Sequence, residues 1–262
     1  MDTIKPVKFV QNLIDLGAFK AIQSSKSVLI RSIMAGALLG LATVLALFTA
    51  VQSDSVLFGA LVFPVSFAMI MLMGYELATG NFAIIPMAVW AKRTTMSDLW
   101  KNWSLSLGGN LIGGSFFAAL FFIYITNVGQ TYDLNLIDRV IFVAESKTLA
   151  YKEFGASGFA VVFVKAVLCN WMVTMGVVMA NTSNSTFGKI IALWLPIFTF
   201  FALGLEHSVV NMFVIPAAMM LNANITFSDW WLWNQIPVII GNAIGALSLT
   251  AYPLYKSYYQ KG

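Results

Sequence analysis

Charge is what this sequence has least of. Only 15 Lys and Arg and 11 Asp and Glu occur among 262 residues, so charged residues make up 10% of the chain. A soluble domain carries about 25%. So few charges could not clothe a water-exposed surface of this size, which excludes a soluble enzyme and a disordered chain. Cysteine is nearly absent too. Cys169 stands alone, so neither an intrachain disulfide nor a Cys-based metal site can form. The single histidine, His207, excludes two-histidine haem ligation, His-rich zinc sites and HExxH chemistry within one chain. No metal and no cofactor is therefore expected. The net charge of +4 calls for no nucleic-acid partner, because basic loops at a membrane give the same sign.

What the sequence does have is apolar residues, at 59%, with a mean hydropathy of +0.82. This composition predicts an all-α polytopic membrane protein whose partner is the lipid bilayer. Six apolar segments lie near 28–50, 58–91, 103–126, 158–181, 187–221 and 234–255. A straight crossing needs about 20 residues. The second and fifth segments are far longer, and polar residues interrupt them: Glu76, Thr79, Gly80 and Asn81 in one, Glu206, His207, Ser208 and Asn211 in the other. Broken helices are expected there. Before the first segment, Phe9, Val10, Leu13 and Ile14 share a helical face, which predicts a short helix lying on the membrane surface.

The basic residues set an orientation. Lys5, Lys8, Lys20, Lys26, Arg31, Lys92, Arg93, Lys101, Lys189, Lys256 and Lys261 fall on one side of a six-span arrangement. Arg139, Lys147 and Lys152 fall on the other, in one long loop, and Lys165 is left within the membrane. The positive-inside rule predicts that both termini are cytoplasmic, in a multi-pass protein of the cell membrane.

The two interrupted segments match each other. GYELATGNFAIIPMA (74–88) aligns without gaps on GLEHSVVNMFVIPAA (204–218). Pro64 corresponds to Pro196, Ser97-Asp98 to Ser228-Asp229, and GGNLIGG (108–114) to IGNAIGA (240–246). Each copy holds three spans, so the second enters from the opposite side and the halves are inverted. One transmembrane domain, 1–262, is expected, with a cytoplasmic surface helix in 1–27, a first repeat over 28–126 and a second over 158–256. Gly109/Gly113 and Gly241/Gly245 stand one turn apart, which predicts close helix packing.

Ionisable residues at this depth cost about 2.5–3.5 kcal/mol each on insertion scales. Glu76, Glu206, His207 and Lys165 therefore need partners or reasons. The simplest account is a pair of symmetric clamps, Glu76 with Asn110 and Glu206 with Asn242. His207 breaks the symmetry, since its counterpart is Leu77. An imidazole can donate or relay a proton near neutrality, and Thr79 lies opposite it under the pseudo-two-fold axis. Phe63 and Phe67 before the first break, and Phe200 before the second, are candidate apolar constrictions.

At three segments the sequence closely resembles the formate/nitrite transporter family: ELATGN (76–81), CNWMV (169–173) and GLEHSVVNMFVIP (204–216). The resemblance implies an aquaporin-like fold, a homopentamer with one pore per protomer, and conduction of small monovalent anions such as formate, nitrite, hydrosulfide, acetate or lactate. It implies that His207 is the central pore histidine and Thr79 the threonine of the loop after the first half-helix. Glu206 and Asn242 would hold the histidine, Asn170 would be the asparagine of the fourth span, and Val173, Phe63 and Phe200 would be constriction positions. Leu77 and Ala78 fall at the inner constriction, where Ala78 departs from the larger apolar residue usual in the family. Either the inner gate is wider or it is filled from elsewhere. Lys147 is the candidate vestibule lysine, with Lys152 and Lys165 as alternatives, because 147 lies unusually far ahead of Asn170. Rival readings are a neutral-solute pore for water or glycerol, a coupled secondary transporter, and a membrane hydrolase using Ser208 with His207. The breaks read ATGN and HSVVN rather than the Asn-Pro-Ala typical of aquaporins, and the neutral pore stays as the alternative; no nucleophile motif is present, so an enzyme is not expected.

Overall fold

A chain in lipid must satisfy its own backbone polar groups, and this one does so with helices. The structure, a computed structural model, describes residues 3–130 and 134–259. Lys261 lies outside them. The opening helix is α1 (Pro6–Ala21), followed by α2 (Ser25–Ser53), α3 (Val56–Val62), α4 (Pro64–Met73) and α5 (Ala78–Trp90). Then come α6 (Met96–Thr126), α7 (Leu134–Ser146), α8 (Leu149–Glu153), α9 (Gly155–Ala180), α10 (Thr186–Ala202) and α11 (Ser208–Met220). The last helix, α12, runs Phe227–Tyr258 and contains π-helical turns at Trp231–Gln235 and Leu247–Ala251. Among the described residues, five segments are long and apolar enough to cross a membrane: α2, the α3–α4 pair, α6, α9 and α12.

Side-chain caps mark where these helices begin. Thr95 and Asp98 form a reciprocal capping box at the start of α6, and Thr226 and Asp229 form the same box at the start of α12. Each supplies partners to backbone N–H groups that have none within the helix. The two long interrupted segments resolve into α3–α4 then α5, and α10 then α11. Gly74 (φ 64°) and Gly204 (φ 61°) adopt left-handed conformations after α4 and α10, where a Cβ would be strained. The breaks end earlier than the polar residues imply. Thr79, Gly80 and Asn81 already belong to α5, and Ser208 and Asn211 to α11.

The half-helices α5 and α11 form the centre. Every residue from Ala78 to Ala88, and from Ser208 to Ala218, is buried. A helix covered all round needs no polar face, and neither has one. The outer helices show the converse: Leu41, Leu45, Phe48, Ile112, Phe116 and Leu120 are exposed apolar side chains on α2 and α6. The glycine pairs mark close helix crossings. A Cβ at Gly113 would collide with the Ile33 carbonyl of α2, and one at Gly245 with the Val167 carbonyl of α9.

Two expectations are modified. Helix α1 forms, but its apolar face is not left for lipid. Phe9, Val10, Leu13, Ile14 and Gly17 are buried, and Gly17 abuts the Ile84 carbonyl of α5. The long loop that carries Arg139, Lys147 and Lys152 contains helices: α7, which packs on α11 through Leu136, Ile137, Val140 and Ala144, and the short α8.

Candidate functional site

The beginnings of α5 and α11 meet at the centre of the molecule. Thr79 Oγ1 lies 2.9 Å from His207 Nε2. His207 is itself the N-cap of α11, and its Nδ1 accepts the Val210 backbone N–H at 3.2 Å. A nitrogen that accepts carries no proton. The neutral ring therefore has its hydrogen on Nε2 and donates it to the Thr79 oxygen. The hydroxyl proton of Thr79 is then left to point elsewhere. Asn170 steadies the junction from α9, its Nδ2 donating to the carbonyls of Thr79 (3.1 Å) and Asn242 (2.7 Å).

The expected clamps exist, but by different atoms. Asn110 does not bind the Glu76 carboxylate. Its Nδ2 donates to the backbone carbonyls of Glu76 (3.0 Å) and Ser32 (2.8 Å), and its Oδ1 accepts the Ala78 N–H at 3.0 Å. Asn242 does the same: to the carbonyls of Glu206 (2.9 Å) and Ala166 (2.8 Å), and from the Ser208 N–H at 2.9 Å. A primary amide both donates and accepts, so it can satisfy a carbonyl and an N–H freed by the same break. A carboxylate could do only half of that.

The carboxylates are thereby released for other partners. Glu206 Oε2 pairs with Lys147 at 3.0 Å and accepts from Asn211 Nδ2 at 2.9 Å, while Tyr151 donates to Oε1 at 2.9 Å. Asn211 Nδ2 also donates to Asn234 Oδ1 at 2.8 Å, and Asn234 Nδ2 donates to the Lys147 carbonyl at 2.8 Å. In the first half Glu76 pairs with Lys20 at 3.0 Å and accepts from Asn81 Nδ2 at 2.7 Å, and Asn81 also donates to Asn102. Both glutamates are buried, and each buried charge has its cation. Of the alternative lysines, Lys152 pairs with Asp229 at 2.8 Å and Lys165 lies over the Tyr151 ring. Lys147 is the one that reaches the centre.

A cavity of about 140 Å³ leads toward His207 from the α7 side. Its lining includes Lys147, Arg139, Phe200, Phe201, Val210 and Val214. On the α1 side a narrower cavity of about 30 Å³ is lined by Lys20, Leu16, Leu77, Asn81, Ile84 and Val177. Phe200 lies against His207, with ring centroids 5.6 Å apart, and packs edge-on against Phe63 at 5.5 Å; Phe201 stacks on Phe63 at 4.0 Å. Among the predicted constriction residues, Phe200 and Leu77 line these two cavities. Phe63 backs Phe200. Phe67 and Val173 are buried but line neither cavity, with Phe67 set against Gly176. Ala78 lines neither as well. It is buried at the start of α5, and the narrow space nearby is filled by Leu77, Leu16 and Val177.

Sequence reasoning missed Lys20 and Tyr151 as partners of the glutamates, and Val177 as a lining residue. The signal for Lys20 is faint. Residues 9–21 of α1 align with 136–148 at an offset of 127, but only Ile14/Ile141 and Lys20/Lys147 are identical. The buried positions are equivalent: Phe9 with Leu136, Val10 with Ile137, Leu13 with Val140, Gly17 with Ala144.

Paired half-helices whose N-termini meet beneath an open cavity, in a shell of apolar helices, define a membrane transport protein rather than an enzyme, and the relatives are transporters and channels throughout. The formate/nitrite transporter model matches residues 7–256, and the chain belongs to that family. It is 36% identical over 211 residues to a probable formate transporter of Methanothermobacter thermautotrophicus, covering 78% of this chain and 75% of the relative. It is 31% identical to the formate channel BtFdhC of Bacillus thuringiensis, over 98% of this chain and 96% of that one. Among solved structures, a pentameric formate channel with formate bound superposes with a TM-score of 0.72 at 23% identity, over 89% of this chain and 97% of that chain.

Proposed function

We propose that this chain is a proton-linked channel for small monovalent anions of weak acids, formate foremost, working as a homopentamer in the cell membrane. Six spans in two inverted repeats cross the bilayer, and the basic α1 side with both termini faces the cytoplasm. The observation that carries the reading is the His207–Thr79 contact at the meeting of two half-helix N-termini, with a lysine–glutamate pair in each half.

A bare anion loses its hydration at great cost in a narrow apolar passage. The neutral acid loses far less. Basic side chains lining the two entrances favour the anion. Past them, beside Phe200, desolvation raises the acid's own pKa, so it takes a proton from water. One anion and one proton enter the centre as one neutral molecule and separate again on the far side. Thr79, receiving its hydrogen bond from His207, turns its hydroxyl proton toward the passage and guides the acid's carbonyl oxygen. The Nδ1 of His207 is occupied in starting α11, so this ring serves as a fixed donor and not as the proton source.

Formate flux in proteoliposomes between pH 5 and 8 tests the reading. Flux is expected to rise severalfold for each unit of acidification and to fall at least tenfold in His207→Phe. Flux indifferent to pH and to the substitution would refute it. A competition panel of formate, nitrite, hydrosulfide, acetate and lactate then ranks the substrates.

A further inference from the structure

The charges around the α7-side cavity do not all act on an incoming anion. Lys147 is held 3.0 Å from the buried Glu206. To a solute at the entrance that pair is close to neutral. Lys152 is likewise neutralised by Asp229 at 2.8 Å, and Lys165 lies over the Tyr151 ring and is not part of the cavity lining. Arg139 differs from all three. It lines the same cavity as His207 and Lys147. Among the described residues it has neither an ion pair nor a side-chain hydrogen bond, and its guanidinium rests 5.6 Å above the Phe142 ring. Arg139 also lines the wider space outside this cavity, together with Asp54 and Asp138, neither of which forms an ion pair with it.

Its position on α7 is also suited to a role. Arg139, Val143 and Lys147 recur every fourth residue and all line the cavity, so they form one stripe running from the entrance inward. At 1.5 Å per residue, Arg139 stands about 12 Å ahead of Lys147. The wet outer end of the stripe thus bears an unpaired cation, and the dry inner end bears a compensated one.

We infer that Arg139 is the entrance residue that gathers anionic substrate on the α7 side and sets the channel's preference for anions there. The inference rests on the proposed function and deepens it. Arg139 acts through its charge before desolvation begins, whereas Lys147 keeps Glu206 compensated at the inner end. An unpaired charge in a cavity mouth raises the local concentration of counter-charged solute, and salt abolishes the effect. The Debye length is about 30 Å at 10 mM ionic strength and shrinks well below 10 Å at 300 mM.

Right-side-out and inside-out vesicles from expressing cells provide the test, with radiolabelled formate added outside at 10 and 300 mM ionic strength. In Arg139→Gln the half-saturating formate concentration is expected to rise about threefold at 10 mM, with little change at 300 mM and an unchanged maximal rate. The rise is confined to the vesicles whose α7 side meets the substrate. Arg139→Lys restores the wild-type value, and Arg139→Glu raises it further. An unchanged half-saturating concentration in both vesicle types would overturn the inference, as would an equal rise in both, or an Arg139→Lys variant as impaired as Arg139→Gln. A wild-type protein that carried no formate in either vesicle type would instead defeat the functional reading itself.

Discussion

The Glu76 half and the Glu206 half are built from the same parts and differ at the one point that matters for chemistry. Each has a surface-side helix ending in a lysine, a glutamate at a break, an asparagine five residues on, and a second asparagine stitching the break shut. The first half then places Leu77 at the N-cap of its half-helix, and the second places His207. The shared parts hold backbone. The unshared residue lines the α7-side cavity, in contact with Thr79 of the other half. Symmetry therefore accounts for the scaffold, and its violation marks the site.

The largest disturbance of this comparison comes from stranding a buried charge. Lys147→Met leaves Glu206 uncompensated and is expected to cost about 3–5 kcal/mol, seen as a large fall in melting temperature in detergent. Lys20→Met should do the same to Glu76. Equal losses would show the pairs to be equivalent supports, and the double change Lys147→Met with Glu206→Gln should recover most of the loss.

Next come the stitches. Asn110→Ala and Asn242→Ala each remove three hydrogen bonds from buried backbone groups, and about 1–3 kcal/mol is at stake for each group stranded. Both are expected to lower the melting temperature by similar amounts.

His207→Leu copies the first half onto the second. The clamp by Asn242 remains, so the fold should persist with little change in melting temperature, while formate flux is expected to drop at least tenfold. Retained flux at an unchanged melting temperature would show that the asymmetry is incidental. The smallest effect is expected from Tyr151→Phe, which takes one hydrogen bond from Glu206. It should cost about 1.5–3 kcal/mol, and thermal melting beside Lys147→Met ranks the two.

The scaffold was legible to the extent that the two halves kept the same letters. Glu76/Glu206, Asn110/Asn242 and Ser97-Asp98/Ser228-Asp229 stand at offsets of 130 to 132, and each pair does the same job in the structure. What letters could not tell is which atoms of a side chain are used. The repeat pairs Glu76 with Asn110 without saying that the amide serves the glutamate's backbone and leaves its carboxylate for Lys20. The α1–α7 correspondence was hidden because a buried helix face needs only apolar volume, and Phe9/Leu136 or Gly17/Ala144 satisfy that without identity. The aromatic constrictions were least legible. Whether Phe67 or Phe200 meets open space depends on helix rotation and on neighbours such as Gly176, which spacing along the chain does not encode.

The cap that His207 places on α11 gives the molecule a polarity it would otherwise lack. Because Nδ1 accepts from Val210, the hydrogens of Val210 and His207 point the same way, from the helix backbone through the ring to Thr79. Aspartate or asparagine at this position would start the helix at least as well. Aspartate would offer Thr79 only an acceptor, and asparagine, with its Oδ1 taking the cap, would keep an amide donor but on a shorter side chain. With aspartate the arrow of hydrogens would reverse. Aspartate, the better helix starter, would thus turn a donor into an acceptor at the centre of the molecule. The less common cap is the one that keeps a donor where the two half-helices meet.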